Sequence, residues 1–321
     1  LKNDLNITVI GAGISGLTTA LVLSEEGYQV DIISKELPAD TTSAIAAAIW
    51  FPYKAYPREK VEKWSLESFH TFEKLAETEK SGVSFIPFTA YVEPFEKPWW
   101  LKALPQSHIL DEKVSSPIHP NNTGYTLNVP LIETPIYLDY LIWRLKKSDV
   151  DITQKEIHSL DNLGTANLII NCTGLGAQKL FGDNQLYPIQ GQVVQIDPIE
   201  NVTGFAVEYP IVEQDDETAY LIPRRDCLVL GGSSKKNEFS TTPDADLSKK
   251  ILAYCAEFQP KVKLSAIQRT LVGLRPGRAK IRLEKDPDLP LIHNYGHGGA
   301  GFTVSWGCAY EVLAILKNIQ N

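Results

Sequence analysis

The sequence predicts an α/β chain in two parts, one built on a parallel sheet and the other a mostly antiparallel α+β region. Three observations predict this. A short apolar run at 7–10 (ITVI) enters a glycine turn, then a stretch with apolar residues at helical spacing, then a β-rich run at 29–34 (QVDIIS). Strand, helix and strand in that order make a unit whose two strands lie parallel. A second run, 167–176 (NLIINCTGLG), is largely nonpolar and ends in glycine, as a strand buried on both faces does. From Tyr187 the texture changes to short strands at close spacing, at 191–196, 205–212, 219–222 and 227–231. Such spacing predicts antiparallel pairing, with Arg224, Arg225 and Asp226 as a hairpin turn.

Gly11, Gly13 and Gly16 have the G-x-G-x-x-G spacing of a dinucleotide-binding turn. Gly11 permits the tight turn, Gly13 lets the backbone approach a pyrophosphate, and Gly16 lets the helix close on the strand. The helix start offers unpaired N–H groups and partial positive charge to phosphates. Glu36, 20 residues after Gly16, is near the place of an acid that binds ribose hydroxyls. Ser34 and Lys35 match the usual acid position more closely.

With 321 residues the chain is long enough for two domains. A net charge of −8 argues against a nucleic-acid partner. No apolar stretch approaches a membrane span. The first strand begins too early to leave room for a signal peptide, and the ending KNIQN carries no peroxisomal address. Cys172, Cys227, Cys255 and Cys308 lie far apart in apolar runs, without zinc spacing. They read as buried, reduced thiols, so the expectation is a cytoplasmic protein without a metal.

Along the rest of the chain, 39–53 (ADTTSAIAAAIWFPY) holds hydroxyls at 41–43 that suit phosphate or ribose. Small side chains at 44–49 let a flat ring pack closely; Ser43 equally reads as the N-cap of a buried helix. Residues 59–80 read as a helix, and 83–92 as strands broken by Pro87. Residues 94–120 are loop-rich, and Trp99-Trp100 read as packing or as a substrate mouth. Residues 125–129 read as a strand, 137–147 as an amphipathic helix, 152–159 as a short strand and 246–258 as a helix.

Four regions together resemble the D-amino-acid oxidase family of flavoproteins: ITVIGAGISGL, AIAAAIWFPY, LIINCTGLGA, and the C-terminal third. The last carries LVGLRPGRAKIRLE at 271–284 and LIHNYGHGGAGFTVSWGCA at 291–309. The similarity spans essentially the whole chain. It implies a Rossmann-type FAD-binding domain from discontinuous segments, 1–50, 136–182 and 265–321. The second, mostly antiparallel α+β substrate-binding domain would be 51–135 and 183–264. It further implies non-covalent FAD, a D-amino acid as small-molecule substrate and oxygen as the second. The protein would act alone or as a homodimer, with neither membrane nor nucleic acid as partner.

A substrate carboxylate beside a flavin needs a fixed cation, preferably the fork of an arginine. Arg275, in GLRPGR between Gly273 and Pro276, matches the family's carboxylate-binding arginine. Arg278 and Arg282 read as surface charges or structural ion pairs. Tyr220, in AYLIPRRD, matches a tyrosine that assists Arg275. The resemblance assigns FAD contacts to Ala12, Gly13, Ile14 and Ser15 beside Gly11, Gly16 and Glu36. Further contacts fall to Thr42, Ser43, Ala47, Ala48 and Ile49, to Ile157 and Thr173, and to Arg275. In the signature, Gly298, Gly299, Ala300, Gly301, Phe302 and Thr303 run against the flavin, and the Gly299 carbonyl takes the substrate amine. The helix starting near Thr303 points partial positive charge at the flavin N1–C2=O edge. His297 reads as a hydrogen-bonded structural residue, since hydride transfer from Cα to flavin N5 needs orientation and no side-chain base.

Three positions depart from the vertebrate pattern. Asp216 stands near the place of a lid tyrosine, Ala300 replaces a tyrosine in the glycine turn, and Phe51 follows Trp50 where glutamine is usual. The expected consequences are easier substrate exchange and extra room beside Ala300. Arg224 and Arg225 could attract an acidic side chain, but a solvent-exposed turn is the simpler reading. The implied reaction converts a D-amino acid to an imine, hydrolysed to 2-oxo acid and ammonia, with hydrogen peroxide as by-product. D-aspartate oxidase, glycine or sarcosine oxidase, a dehydrogenase that does not use oxygen, and a non-catalytic NAD-binding sensor remain as alternatives.

Overall fold

A computed structural model describes residues 5–52, 54–93, 97–119, 121–160, 167–209 and 219–320. Asp216 and residues 210–212 of the expected strand lie outside them. The chain runs β1 (Asn6–Ile10), α1 (Ile14–Glu25), β2 (Gln29–Ser34), α2 (Arg58–Ala76), β3 (Val83–Val92), β4 (Ile109–Ser115) and β5 (Thr123–Ile132). Next come α3 (Thr134–Lys147), β6 (Ile152–Gln154), β7 (Leu168–Asn171), α4 (Gly176–Phe181), β8 (Tyr187–Ile196) and β9 (Gly204–Val207). Then follow β10 (Tyr220–Pro223), β11 (Leu228–Gly231), β12 (Lys235–Lys236), α5 (Ala245–Phe258) and β13 (Arg269–Gly277). The last elements are β14 (Arg282–Lys285), β15 (Leu291–Tyr295) and α6 (Gly301–Gln320).

Two sheets organise these elements, giving the mixed α/β fold expected. Six strands lie in the order β14-β15-β7-β1-β2-β6, all pairs parallel except the edge pair β14–β15. Its inner strands β1, β7 and β15 are almost wholly buried, which is why they are largely apolar without strict alternation. The chain leaves β1 toward β2 on one side while β7 lies on the other. This is the arrangement that opens a ligand crevice at the carboxyl ends of the strands. The second sheet runs β12-β8-β11-β10-β9-β3-β5-β4, with β13 against β8. All its pairs are antiparallel except β3–β9. β13 therefore belongs to the second sheet, although the expected division placed 265–321 with the first.

Alternation gives the second sheet two faces. Val194, Phe205, Leu221 and Leu230 pack against Leu247, Ile251 and Cys255 of α5. Their neighbours Val193, Ala206 and Tyr220 point the other way, toward the six-stranded sheet, and line a cavity, with Gly231 as the bare position beneath the Tyr220 ring. A large apolar core joins α1, α2, α3 and α6 to β1, β3 and β5, with Trp50, Trp64 and Trp100 fully buried in it.

Several local expectations are corrected. No helix follows Ser43: residues 48–50 run beside the free end of β5, with Ala48 at a positive φ of 50°, Trp50 N–H donating to Pro130 O and Ile132 N–H to Ala48 O, both at 2.9 Å. β3 is continuous through Pro87, because β9 pairs only with residues 88–91 and Pro87 breaks no bond on that side. The loop expected at 94–120 contains β4, a mostly exposed edge strand with register shifts and no apolar alternation to reveal it. β6 ends at Gln154, five residues short of the expected strand. All four cysteines are free and buried.

α6 crosses α2 at Gly307, where a Cβ would come within 2.3 Å of the Trp64 backbone. Gly307→Ala should therefore cost about 1–3 kcal/mol of stability in urea unfolding; a wild-type midpoint would contradict this contact.

Candidate active site

The cavity between the sheets has a volume of about 1010 Å³. At one end stand the carboxyl ends of β1, β2 and β7. Gly11 (φ +111°) makes the turn, and a Cβ there would meet Cys172 O at 2.4 Å. Ser34 Oγ accepts the Ala12 N–H at 3.0 Å and Ser43 Oγ accepts the Ile14 N–H at 2.9 Å, so two side chains fix the start of α1. Ser43 thus does cap a helix, but α1 and not one of its own. Thr173 is held by Asn171 Oδ1, which accepts its N–H at 3.1 Å and its Oγ1–H at 2.7 Å. Glu36 is exposed on the rim of this end.

At the other end lies Arg275, on β13. Its guanidinium rests flat on β8: a Cβ at Gly191 would stand 2.4 Å from Arg275 Cζ. Arg275 Nη1 donates to Ser233 O at 3.0 Å. Tyr220 rests on β11 in the same way, since a Cβ at its cross-strand partner Gly231 would lie 2.1 Å from Tyr220 Cζ. Arg275 hydrogen-bonds the Tyr220 phenol; burial raises the phenol's pKa and Arg275 offsets part of that. The phenol therefore stays protonated and is a donor. The Gly298–Gly299 turn closes this end, tied by Gly298 N–H donating to Pro276 O at 2.9 Å.

Most of the expected site residues line this one cavity: Gly11, Ala12, Gly13, Ile14 and Ser15; Glu36; Thr42, Ser43, Ala47, Ala48 and Ile49; Ile157 and Thr173; Tyr220 and Arg275; Gly298, Gly299, Gly301 and Phe302. Three do not. Gly16 lies beneath the turn, where a Cβ would be 1.9 Å from Gly11 O. Thr303 is buried and binds the Phe51 backbone, its Oγ1 accepting from N–H and donating to O at 3.0 Å each. Ala300 is fully buried behind the cavity wall, so its small side chain adds no room there.

Arg224 is also corrected. It is buried, 3.5 Å from Glu133 and 3.0 Å from Asp226, and ties the β10–β11 turn to the start of α3. Arg225 and Asp226 are the exposed residues of that turn. Arg278 donates to Asp183 at 3.0 Å, a structural ion pair as expected. Trp99 and Trp100 are packing residues. The reading of the sequence missed Gly191, Gly231, Ser233 and Glu208; the only signal for the two glycines was their placement inside apolar strands, which marks close approach.

These features suit a long dinucleotide with a redox ring: an N–H-rich turn at one end, a fixed cation at the other, and small side chains between. Residues 6–315 match the family described as FAD dependent oxidoreductase, and the chain belongs to it. It is an oxidoreductase with FAD as cofactor. It is similar to a D-amino-acid oxidase of Rubrobacter xylanophilus, at 35% identity over 96% of this chain and 94% of that one. Similarity to a D-amino-acid oxidase of Streptomyces coelicolor is 34%, over 98% and 97%. Among solved structures, a glycine oxidase from Geobacillus kaustophilus shares the fold at TM-score 0.78 and 15% identity, over 97% of this chain and 94% of that one. No helix among the described residues is long and apolar enough to cross a membrane.

His297 is buried, its Nε2 is 3.1 Å from Asn294 Oδ1, and burial pushes its pKa from 6.5 down to about 4. Between those values the unfolded imidazole takes a proton that the folded one refuses. Its share of stability is therefore full above pH 6.5 and is lost as pH falls toward 4. His297→Gln should flatten the fall in Tm between those limits; an unchanged slope would contradict a neutral, buried imidazole.

Proposed function

We propose that the protein oxidises D-amino acids to 2-oxo acids and ammonia, with oxygen as final acceptor and hydrogen peroxide as product. The observation that carries this reading is the Arg275–Tyr220 pair, seated on bare backbone at Gly191 and Gly231 beside the Gly298–Gly299 turn. Arg275 offers N–H donors to a carboxylate, and Tyr220 O–H adds one more. The Gly299 carbonyl takes the substrate amine. These contacts fix two substituents of Cα, the carboxylate and the amine, and with the side chain directed into the rest of the cavity they turn its hydrogen toward one face of the ring. Bound FAD supplies the hydride acceptor at that position. The apolar wall of Phe51 and Phe88 limits the approach of water to the reacting carbon. His297 is neutral above pH 4 and takes no part in proton transfer.

On the same reading the six-stranded sheet and α1 hold FAD, and the nine-stranded sheet holds the substrate. Gly11–Ser15 and Thr42–Ser43 serve the pyrophosphate, and Ala47, Ala48 and Ile49 the ring. Glu36 and Ile157 serve the adenosine end, with Thr173 between.

Arg275→Ala should lower kcat/KM for every D-amino acid by about 100-fold or more, chiefly through KM, because it strips the carboxylate of its cation. The purified variant should keep its yellow flavin absorbance. Wild-type kinetics in that variant would overturn the assignment. A panel of D-alanine, D-aspartate, D-phenylalanine and glycine, read by peroxide yield, separates this activity from a glycine oxidase or a dehydrogenase that passes electrons elsewhere.

A further inference from the structure

Glu208 follows β9 and lines the same cavity as Arg275 and Tyr220. Ala206 stands directly opposite Tyr220 across β9–β10, and Glu208 is two residues further along. Alternation puts it on the cavity face, about 7 Å beyond the Tyr220–Ala206 pair. Its N–H is fixed by donation to Tyr91 O at 2.9 Å. Trp100 Nε1–H donates to both carboxylate oxygens, at 3.1 and 3.2 Å. One indole N–H leaves most of the acceptor capacity of a carboxylate free. Besides Trp100, the charged group that faces Glu208 is Lys54, exposed at the cavity rim.

An acid in this place has no part in holding the substrate carboxylate, which it would repel. It lies where the substrate side chain must go. With the α-carboxylate on Arg275 and Tyr220, a stem of about four carbons reaches the height of Glu208. The walls along that path are Phe51 and Phe88, with ring centroids 5.8 Å apart. Apolar walls ending in an anion suit a long aliphatic stem ending in a cation. Among the described residues no further arginine is free to balance an acidic side chain there: Arg278 is committed to Asp183, Arg224 to Glu133 and Asp226, and neither Arg224 nor Arg225 lines the cavity.

We propose that Glu208 sets the substrate class, selecting D-amino acids whose side chain ends in an ammonium or guanidinium group. The proposal rests on the D-amino-acid oxidase reading given above. Burial pushes the Glu208 carboxyl up to about 7, with Trp100 and Lys54 holding it back, so the anion is present above that pH.

The test compares D-lysine with D-norleucine, which keeps the carbon stem and lacks the ammonium, above pH 7. In the FAD-loaded wild type kcat/KM should favour D-lysine. In Glu208→Gln the ratio of the two values should fall about tenfold or more, mainly through KM for D-lysine, as loss of a charged hydrogen bond requires. Glu208→Asp, which keeps the charge, should lie between. The ratio cancels any general damage, and flavin absorbance confirms a folded holoenzyme. A wild type that prefers D-norleucine or D-glutamate, or a ratio unmoved by Glu208→Gln, overturns the proposal. Failure of the underlying reading looks different: no D-amino acid, D-alanine included, then reduces the flavin, and the proposal falls with it.

Discussion

A charged guanidinium lying flat on bare backbone is the constraint around which the cavity is built. Arg275 can reach its position only because Gly191, across the β13–β8 pair, has no side chain, and Tyr220 only because Gly231 has none. Each glycine weakens its strand, since it packs nothing and loses more entropy on folding. The sheet offsets this from its other face, where α5 covers Val194, Leu221 and Leu230. Packing on one face therefore permits the absence of packing on the other, and that absence opens the Arg275 end of the cavity.

The cavity's other end follows a different logic. There the donors are backbone N–H groups at the start of α1, set by Ser34 and Ser43 rather than by a charged side chain. The strip at 48–50 joins the two ends, because it hydrogen-bonds β5 while Ala48 and Ile49 line the cavity and Trp50 is buried in the core. Replacing it by a helix, as the run of alanines suggested, would remove the link between the sheets.

Much of this was legible in the sequence because local and global signals agree at β1, α1, β2 and β7: apolar runs, glycine turn and helical spacing all point to one parallel unit. That Arg275 and Tyr220 line one cavity was legible through the long C-terminal signature and the YLIP segment. What stayed hidden depends on tertiary placement. β4 is an edge strand without alternation, so periodicity says nothing about it. Ser43 has the chemistry of a cap, but which helix it caps is set by a contact with Ile14, 29 positions away. Arg224 looked like a solvent-exposed turn because Glu133, its buried partner, is 91 residues earlier in the chain. Glu208 looked like one acid among many; only the register of β9 against β10 turns it inward beside Tyr220.

The most direct measurement is a structure of the FAD-loaded protein with a 2-oxo acid bound. The account predicts the carboxylate on Arg275 and Tyr220, over Gly191 and Gly231, with the side chain running toward Glu208. A carboxylate bound elsewhere, with Arg275 still engaged only with Ser233 and Tyr220, would contradict it.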